Sequence, residues 1–361
     1  MRGQKQFQNR IKKNRGYISS ITAAAFFFLV VASILTGTSA FGADKVYQLG
    51  VAHFAPIKHH LHTRVYLPFV KELETESGGR LKVTLYPAGA MGKPSAMFDS
   101  CRKSIVDLAM LFPMYTPGVF LLSDVVSLPF AIPSADIGHK VVSELLEKKL
   151  LDKAFYDEIV SWMSTTSPYQ FFLKKKVAKL EDLKGLKLRT PGGMQTEGLK
   201  SLGATPVTVP GAEFTTAMER GIISGGVVDF SSGPSYKLQD MSKQVVKADM
   251  GVAISGIIMN RKTFEGLPQD LQKVIDTACK NLARNTAISY DSADKVAAEV
   301  FKKANVEIYQ LDPNEKMRWM KACEPTYNQW ITNMKSKGHD SEKIYAAFKE
   351  IVKKYGIELP R

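Results

Sequence analysis

Residues 183–193 read LKGLKLRTPGG, and the alternation in Leu186-Lys187-Leu188-Arg189 makes the middle of this stretch a short strand. A period of two sends the leucines to one face and Lys187 and Arg189 to the other, so one face packs and the other meets something polar. Thr190, Pro191 and the Gly192-Gly193 pair end the strand. A helix is expected over residues 194–202 and a second strand at TPVTVP, residues 205–210. Strand, helix and strand in close succession point to an α/β layer, and the stretch therefore sets the fold class. An arginine at the mouth of such a strand is either solvated or aimed at a ligand, and the rest of the chain must decide between the two.

The same alternation recurs on both sides. Upstream, VYQLGVAHF (46–54) reads as a first strand. A helix with Val65, Leu67, Val70 and Leu73 on one face follows, and Gly78-Gly79 stops it. Strands RLKVTLYPAG (80–89) and VDLAMLF (106–112) flank a helix near residues 95–104, and a helical stretch covers 137–160. The pattern restarts with YQFFLKKKV (169–177), a helix over Glu213 to Arg220, and the strands GGVVDF (225–230) and GVAISGIIMN (251–260). Two mainly parallel α/β units are expected. Between Pro268 and Ala304 there is no further glycine or proline, and Leu271, Val274, Ile275, Ala278, Leu282 and Ala283 recur on one face. Such a helix would reach roughly 55 Å at about 1.5 Å per residue, enough to brace both units. PNEKMRWMKACEPTYNQWITNMKSKG (313–338) and SEKIYAAFKEIVKKYG (341–356) supply two more helices.

The chain of 361 residues, 45% hydrophobic, can bury two ordinary cores. Its first twenty residues carry Arg2, Lys5, Arg10, Lys12, Lys13 and Arg15 and no acid, and ITAAAFFFLVVASIL follows. This is the layout of a secretory signal, with Thr38-Ser39-Ala40 offering small residues for cleavage after Ala40. The apolar run is short of the roughly 20 residues that span a bilayer comfortably. Loss of those six cations would reduce the net charge from +14 to +8. A modest positive field suits an anionic small ligand, and solvated lysines explain it equally well. The nearest basic cluster, LKKKVAKLEDLKGLKLR (173–189), is interrupted by Glu181 and Asp182 and has no interleaved aromatic platform, so no nucleic acid is expected.

Cys101, Cys279 and Cys323 are widely spaced and include no CxxC, which argues against a zinc site and a disulfide-dependent fold; a Cys279–Cys323 bridge is left open. Four histidines fall in HFAPIKHHLH: His53, His59, His60 and His62. No HxxxH or HExxH spacing appears there, so no metal is expected, and His53, just past the first strand, is the one aimed at a cleft. No nucleophile elbow, phosphate loop or dinucleotide fingerprint is present, so no catalytic residue and no cofactor is expected. GIISGG lacks the glycine two residues before Ser224 that a nucleophile turn needs.

Two α/β lobes, an export signal and no catalytic motif suggest a secreted protein that closes on a solute. Here a resemblance becomes specific. GGRLKVTLYPAGAMG (78–92), VDLAM, LPF (128–130), DLKGLKLRTP (182–191), LGATPVTVPGAEFTTAMERGIISG (202–225) and LPQDLQKVI (267–275) resemble, in order, segments of the substrate-binding proteins of TRAP (tripartite ATP-independent periplasmic) transporters. That resemblance implies a two-lobed periplasmic-binding-protein fold. Lobe I would comprise residues 41–166 and about 255–290, and lobe II residues 167–254 and about 291–361, after a signal peptide at 1–40. It also implies that Arg189 is the family's carboxylate-pairing arginine. A planar guanidinium matches a carboxylate in two parallel charge-assisted bonds, a geometry that lysine does not reproduce.

Departures from the family pattern narrow the ligand. Tyr169 stands where sialic-acid members carry a second arginine, and Phe112 where they have an acidic contact. Phe230 and Ser231 fill the place of the usual aromatic or asparagine contact after the VVD strand. The resemblance thus implies a periplasmic receptor that captures a monocarboxylate with an apolar or aromatic body and hands it to membrane permease subunits, performing no reaction itself. The alternatives are a secreted enzyme and a sensor ectodomain acting on a small carboxylic acid.

Overall fold

The computed structural model describes residues 45–359, and the signal-peptide expectation for residues 1–40 lies outside them. The chain opens with β1 (Tyr47–Ala52), a π-helical turn (His62–Tyr66) leading into α1 (Leu67–Glu76), and β2 (Leu81–Tyr86). Next come α2 (Met97–Arg102), β3 (Leu108–Leu111), α3 (Ala135–Glu147), α4 (Ala154–Asp157) and β4 (Ile159–Thr165). A second series follows: β5 (Tyr169–Leu173), β6 (Lys187–Thr190), α5 (Gly193–Ser201), β7 (Thr205–Thr208), α6 (Phe214–Glu219), β8 (Gly225–Asp229) and β9 (Gln244–Lys247). The chain ends with β10 (Ile254–Asn260), α7 (Arg261–Glu265), α8 (Gln269–Lys303), β11 (Glu307–Gln310), α9 (Pro313–Ser336) and α10 (Ser341–Lys353).

The strands form two sheets, ordered β2-β1-β3-β10-β4 and β11-β9-β5-β8-β6-β7. β1 runs parallel to β2 and β3, and β6 parallel to β7 and β8. The expected parallel layers each contain one reversed strand. β10 is antiparallel to β3 and β4, and β5 is antiparallel to β8 and β9. The reason is topological: β10 enters the first sheet from β9 of the second, and β5 enters the second from β4 of the first. The two crossing segments are bonded to each other. Thr166 N donates to Ala253 O at 2.9 Å, Tyr169 N to Gly251 O at 2.7 Å, and Met250 N to Tyr169 O at 3.0 Å.

Helix α8, expected between Pro268 and about Ala304, spans 35 residues. Its Leu271, Ile275 and Leu282 share a core with Val51 of β1 and Met259 of β10, while Phe301 near its far end lies among Phe172 and Val245 of the second sheet and Phe230 just past β8. Helix α9 also reaches both sheets. Trp319 meets the Phe171 ring edge-on at 5.2 Å, and Tyr327 Oη donates to Pro129 O at 2.5 Å. The α10 residues Ile344, Phe348, Ile351 and Val352 join Val141, Val142 and Leu145 of α3 and Ile258 of β10. The C-terminal helix, expected with the second lobe, therefore packs on the first sheet, because the apolar face of α3 is what its own apolar stripe covers. Cys101, Cys279 and Cys323 are buried free thiols.

One side chain ties the brace to α3. Asp291 of α8 accepts from Ala135 N and Asp136 N at 3.1 Å each, serving the otherwise unpaired N–H groups of that helix end. Asp291→Ala should lower stability by about 0.5–2 kcal/mol, the usual cost of a lost helix cap. Urea denaturation would show this as a reduced midpoint with unchanged slope.

Candidate functional site

Arg189 is the third residue of β6 and is only 1% exposed. Lys187, two residues earlier on the same face, is exposed, so the polar face of the strand runs from solvent into the interior. In the parallel register Arg189 lies beside Gly226 of β8. A Cβ at position 226 would fall 2.4 Å from Arg189 Cβ and 2.6 Å from its backbone nitrogen, so this closeness requires glycine. The guanidinium is held by the backbone: Nε donates to Val209 O at 2.8 Å and Nη1 to Val227 O at 2.7 Å. Its carbon stands 5.4 Å from the centre of the Phe214 ring. Among the described residues no carboxylate forms an ion pair with Arg189, and none of them accepts from Nη2.

Arg189 borders a cavity of about 30 Å³. The first sheet contributes an aromatic wall: Phe54 follows β1, and Phe112 and Tyr115 follow β3. Phe54 lies edge-on to Phe112 at 5.4 Å and to Tyr115 at 5.8 Å. From the other side come Tyr169, Tyr236 and, on α8, Tyr290. Burial pushes all three phenols well above their ordinary value, so each remains a protonated donor. Phe54, Tyr115 and Tyr236 also line an outer cleft of about 430 Å³, and Tyr115 borders another of about 640 Å³ beside α5 and α9.

Of the residues selected from sequence, Arg189, Tyr169 and Phe112 line the cavity together. His53, Phe230 and Ser231 are not among its lining residues. His53 pairs with His62 Nδ1 at 2.9 Å and rests against the Tyr66 ring at 4.6 Å. Phe230 faces Phe301 at 5.4 Å and carries the Lys247 ammonium 4.2 Å over its ring. The shift has a local cause. After β8 the chain enters a 3-10 turn (Phe230–Tyr236), with Asp229 Oδ1 accepting from Ser232 N at 2.9 Å. Three residues per turn set 229 and 232 on one side and leave 230 and 231 behind them, and Asp229 and Ser232 are the pair that lines the cavity.

Behind this pair lies an ordered row of hydrogen bonds. Leu61 N donates to His59 Nδ1 at 3.1 Å, so in the neutral ring the proton is on Nε2, which donates to Ser232 Oγ at 2.8 Å. Ser231 Oγ donates to Asp229 Oδ1 at 2.7 Å and accepts from His60 Nε2 at 3.2 Å, and His60 Nδ1 accepts from Ser289 Oγ at 2.8 Å. Burial, reinforced by the neighbouring His53, lowers the His59 pKa to about 3, and burial likewise keeps His60 neutral. Sequence reading missed His59, Tyr236 and Tyr290 as lining residues. Only the histidine cluster carried a signal, and it was weighed there as a metal site.

Three comparisons with known proteins bear on this geometry. The family model described as bacterial extracellular solute-binding protein, family 7, matches residues 51–333. A solved structure from an unidentified marine microbe is a TRAP solute binding protein specific for aromatic acid ligands, in complex with 3-hydroxybenzoate. It is 27% identical, covers 87% of this chain and 100% of that one, and superposes with a TM-score of 0.82. A solute-binding protein of Albidiferax ferrireducens is 24% identical over 270 residues, 73% of this chain and 79% of the relative. The C4-dicarboxylate-binding periplasmic protein DctP of Rhodobacter capsulatus is 23% identical over 280 residues, 72% of this chain and 80% of the relative.

Two outcomes test the geometry. Gly226→Ala should cost about 1–3 kcal/mol in urea denaturation, because the added methyl must push β6 and Arg189 away from β8. His59 titrates near 3 when folded and near 6.5 when unfolded, so the unfolded chain binds the extra proton first. Stability that depends on neutral His59 is then complete above pH 6.5 and is lost as pH falls toward 3. The stability of the native chain minus that of a His59→Gln variant should fall by up to about 1.4 kcal/mol per pH unit in that window. Parallel curves from pH 7 to pH 5 would contradict it.

Proposed function

The chain belongs to bacterial extracellular solute-binding protein family 7 and is a TRAP solute-binding protein, and we propose that its solute is a monocarboxylate with an aromatic body held by Arg189. The observation that carries this reading is a buried guanidinium with no acidic partner among the described residues, bordering a cavity walled by aromatic rings. A buried cation is costly unless paired and hydrogen-bonded. Two backbone carbonyls orient this one, and a ligand carboxylate would supply its counter-charge. Arg189 is the one lysine or arginine among the lining residues described, which disfavours a dicarboxylate needing a second cation. The aromatic-acid specificity of the marine relative supports the same ligand class.

The magnitudes are compatible. Two charge-assisted hydrogen bonds net about 3–6 kcal/mol, and micromolar affinity requires about 8 kcal/mol. The remainder corresponds to roughly 80–200 Å² of apolar surface at about 25 cal/mol per Å², the scale of one aromatic ring, which would extend from the cavity of about 30 Å³ beside Arg189 into the adjoining cleft of about 430 Å³ that shares Phe54, Tyr115 and Tyr236. A ligand held between the two sheets favours the closed arrangement in proportion to its differential affinity for it. In this reading residues 1–40 direct export to the periplasm, and the receptor delivers its acid unchanged to membrane permease subunits.

Native mass spectrometry of freshly purified protein should reveal a retained small acid that is released intact on denaturation; its conversion would favour an enzyme instead. In a thermal-shift screen, aromatic monocarboxylates should outrank succinate and sialic acid, and the reverse order would defeat the reading. Arg189→Lys should retain a cooperative unfolding transition and weaken carboxylate binding tenfold or more, equivalent to about 1.4 kcal/mol per decade.

A further inference from the structure

Asp229 is a second charged side chain on the same cavity, 3% exposed, and the carboxylate-anchor role of Arg189 leaves it without a function. Its position is fixed twice. As the last residue of β8 it lies directly opposite Tyr169 of β5 in an antiparallel register, so the two side chains leave the same face of the sheet. As the cap of the 3-10 turn it commits Oδ1 to Ser232 N and Ser231 Oγ. Oδ2 accepts from no described residue.

The side chains behind the carboxylate are largely engaged with one another, and Ser232, which accepts from His59, keeps its own hydroxyl proton beside Asp229. The Ser231 proton is spent on Oδ1, and Ser231 is itself supplied from behind by His60 and Ser289. The His59 Nε2 proton is spent on Ser232 Oγ. Lys247, on β9 at the far side of β5, is engaged by Asp294 at 3.5 Å. A carboxylate on the wall of a largely buried cavity is poorly solvated, and a donor brought by the ligand offsets that cost.

Charge counting points the same way. Once Arg189 is neutralised by the ligand's carboxylate, a second anionic group on the ligand would meet Asp229 with like charge. An uncharged or positively charged donor would meet it with attraction. Burial raises the Asp229 pKa, and the hydrogen bonds from Ser231 and Ser232 work against that rise.

We propose that Asp229 reads a hydrogen-bond donor on the body of the ligand, a hydroxyl or an amino group, so that the solute is a donor-substituted aromatic acid rather than a plain one. The inference rests on the reading of Arg189 as the carboxylate anchor. Arg189 fixes one end of the molecule and Asp229, with its Ser-His support, selects the substituent on the other. Tyr169, beside Asp229 and well above its ordinary pKa, can donate to the same substituent's oxygen.

Isothermal titration of the full chain tests this with benzoate and with its hydroxy, amino and methoxy derivatives at position 3 and at position 4. In the native protein the better hydroxy or amino isomer should bind at least tenfold more tightly than benzoate and than the matching methoxy compound. The hydroxy and amino arms separate a neutral hydroxyl from an amine as the preferred donor. In Asp229→Asn the amide oxygen can keep the turn's donors while its N–H₂ group faces the cavity, so the preference should shrink below threefold or invert toward methoxy. Equal binding of benzoate and its donor-bearing derivatives overturns this inference alone, as does a methoxy preference in the native protein or an unchanged ratio in Asp229→Asn. Binding of none of these acids overturns the aromatic-acid reading as well. Should Asp229→Asn fail to give a cooperative melt, the native ligand series decides by itself.

Discussion

A guanidinium buried in a protein interior is tolerable only where fixed dipoles hold it, and here the carbonyls of Val209 and Val227 do so. Those two oxygens belong to different strands, the first just past β7 and the second within β8, with Arg189 on β6 between them. Cation placement is therefore a property of three-strand registration rather than of a loop. Gly226 is the condition for that registration, since a side chain there would occupy the space of the arginine's own Cβ. A site anchored in this way is stiff, and stiffness suits a receptor because the donor geometry is set before a ligand arrives.

The other half of the cavity comes from a different sheet. Phe54, Phe112 and Tyr115 extend from the ends of β1 and β3, whereas Arg189, Asp229 and Tyr169 belong to the second sheet. A ligand filling the space touches both. The segments that join the sheets lie next to the cavity: Tyr169, which lines it, exchanges backbone hydrogen bonds with Gly251 and Met250 in the return crossing. Helix α8 contributes Tyr290 to the same space and Asp291 to the cap of α3, so cavity wall and inter-sheet brace are consecutive residues of one helix. Mechanical coupling between occupancy and arrangement of the sheets thus needs no relay over distance.

How much of this could be read from the sequence follows from which forces are local. Alternation and helical spacing depend on near neighbours, so β6, the long α8 and the two-sheet α/β plan were legible. Arg189 stood out as a charged residue closing an alternating strand, but its role, like the choice of Tyr169 and Phe112, came from the resemblance to TRAP substrate-binding proteins rather than from periodicity. The reversed directions of β5 and β10 were not, since they depend on the chain crossing between sheets, which no local pattern encodes. Phe230 and Ser231 missed the cavity by one residue each because the Asp229 cap tightens the backbone into a 3-10 turn, a choice made by a side-chain hydrogen bond rather than by periodicity. Tyr290 lay concealed on the buried stripe of α8, where an aromatic is as readily core as lining.

The histidines show how a polar cluster can serve a site without titrating in it. At neutral pH His59 and His60 are uncharged because burial opposes their protonation, so they present fixed donors and acceptors rather than charges. Had either been a cation, it would have added a second positive charge to the cavity wall and paired with Asp229. Neutrality leaves one strong positive site and one strong negative site on the cavity, each with its own hydrogen-bond support. Two opposite charges that do not pair with each other can orient a molecule end to end, and in the proposed reading the apolar wall of Phe54 and Phe112 takes the aromatic body that lies between them.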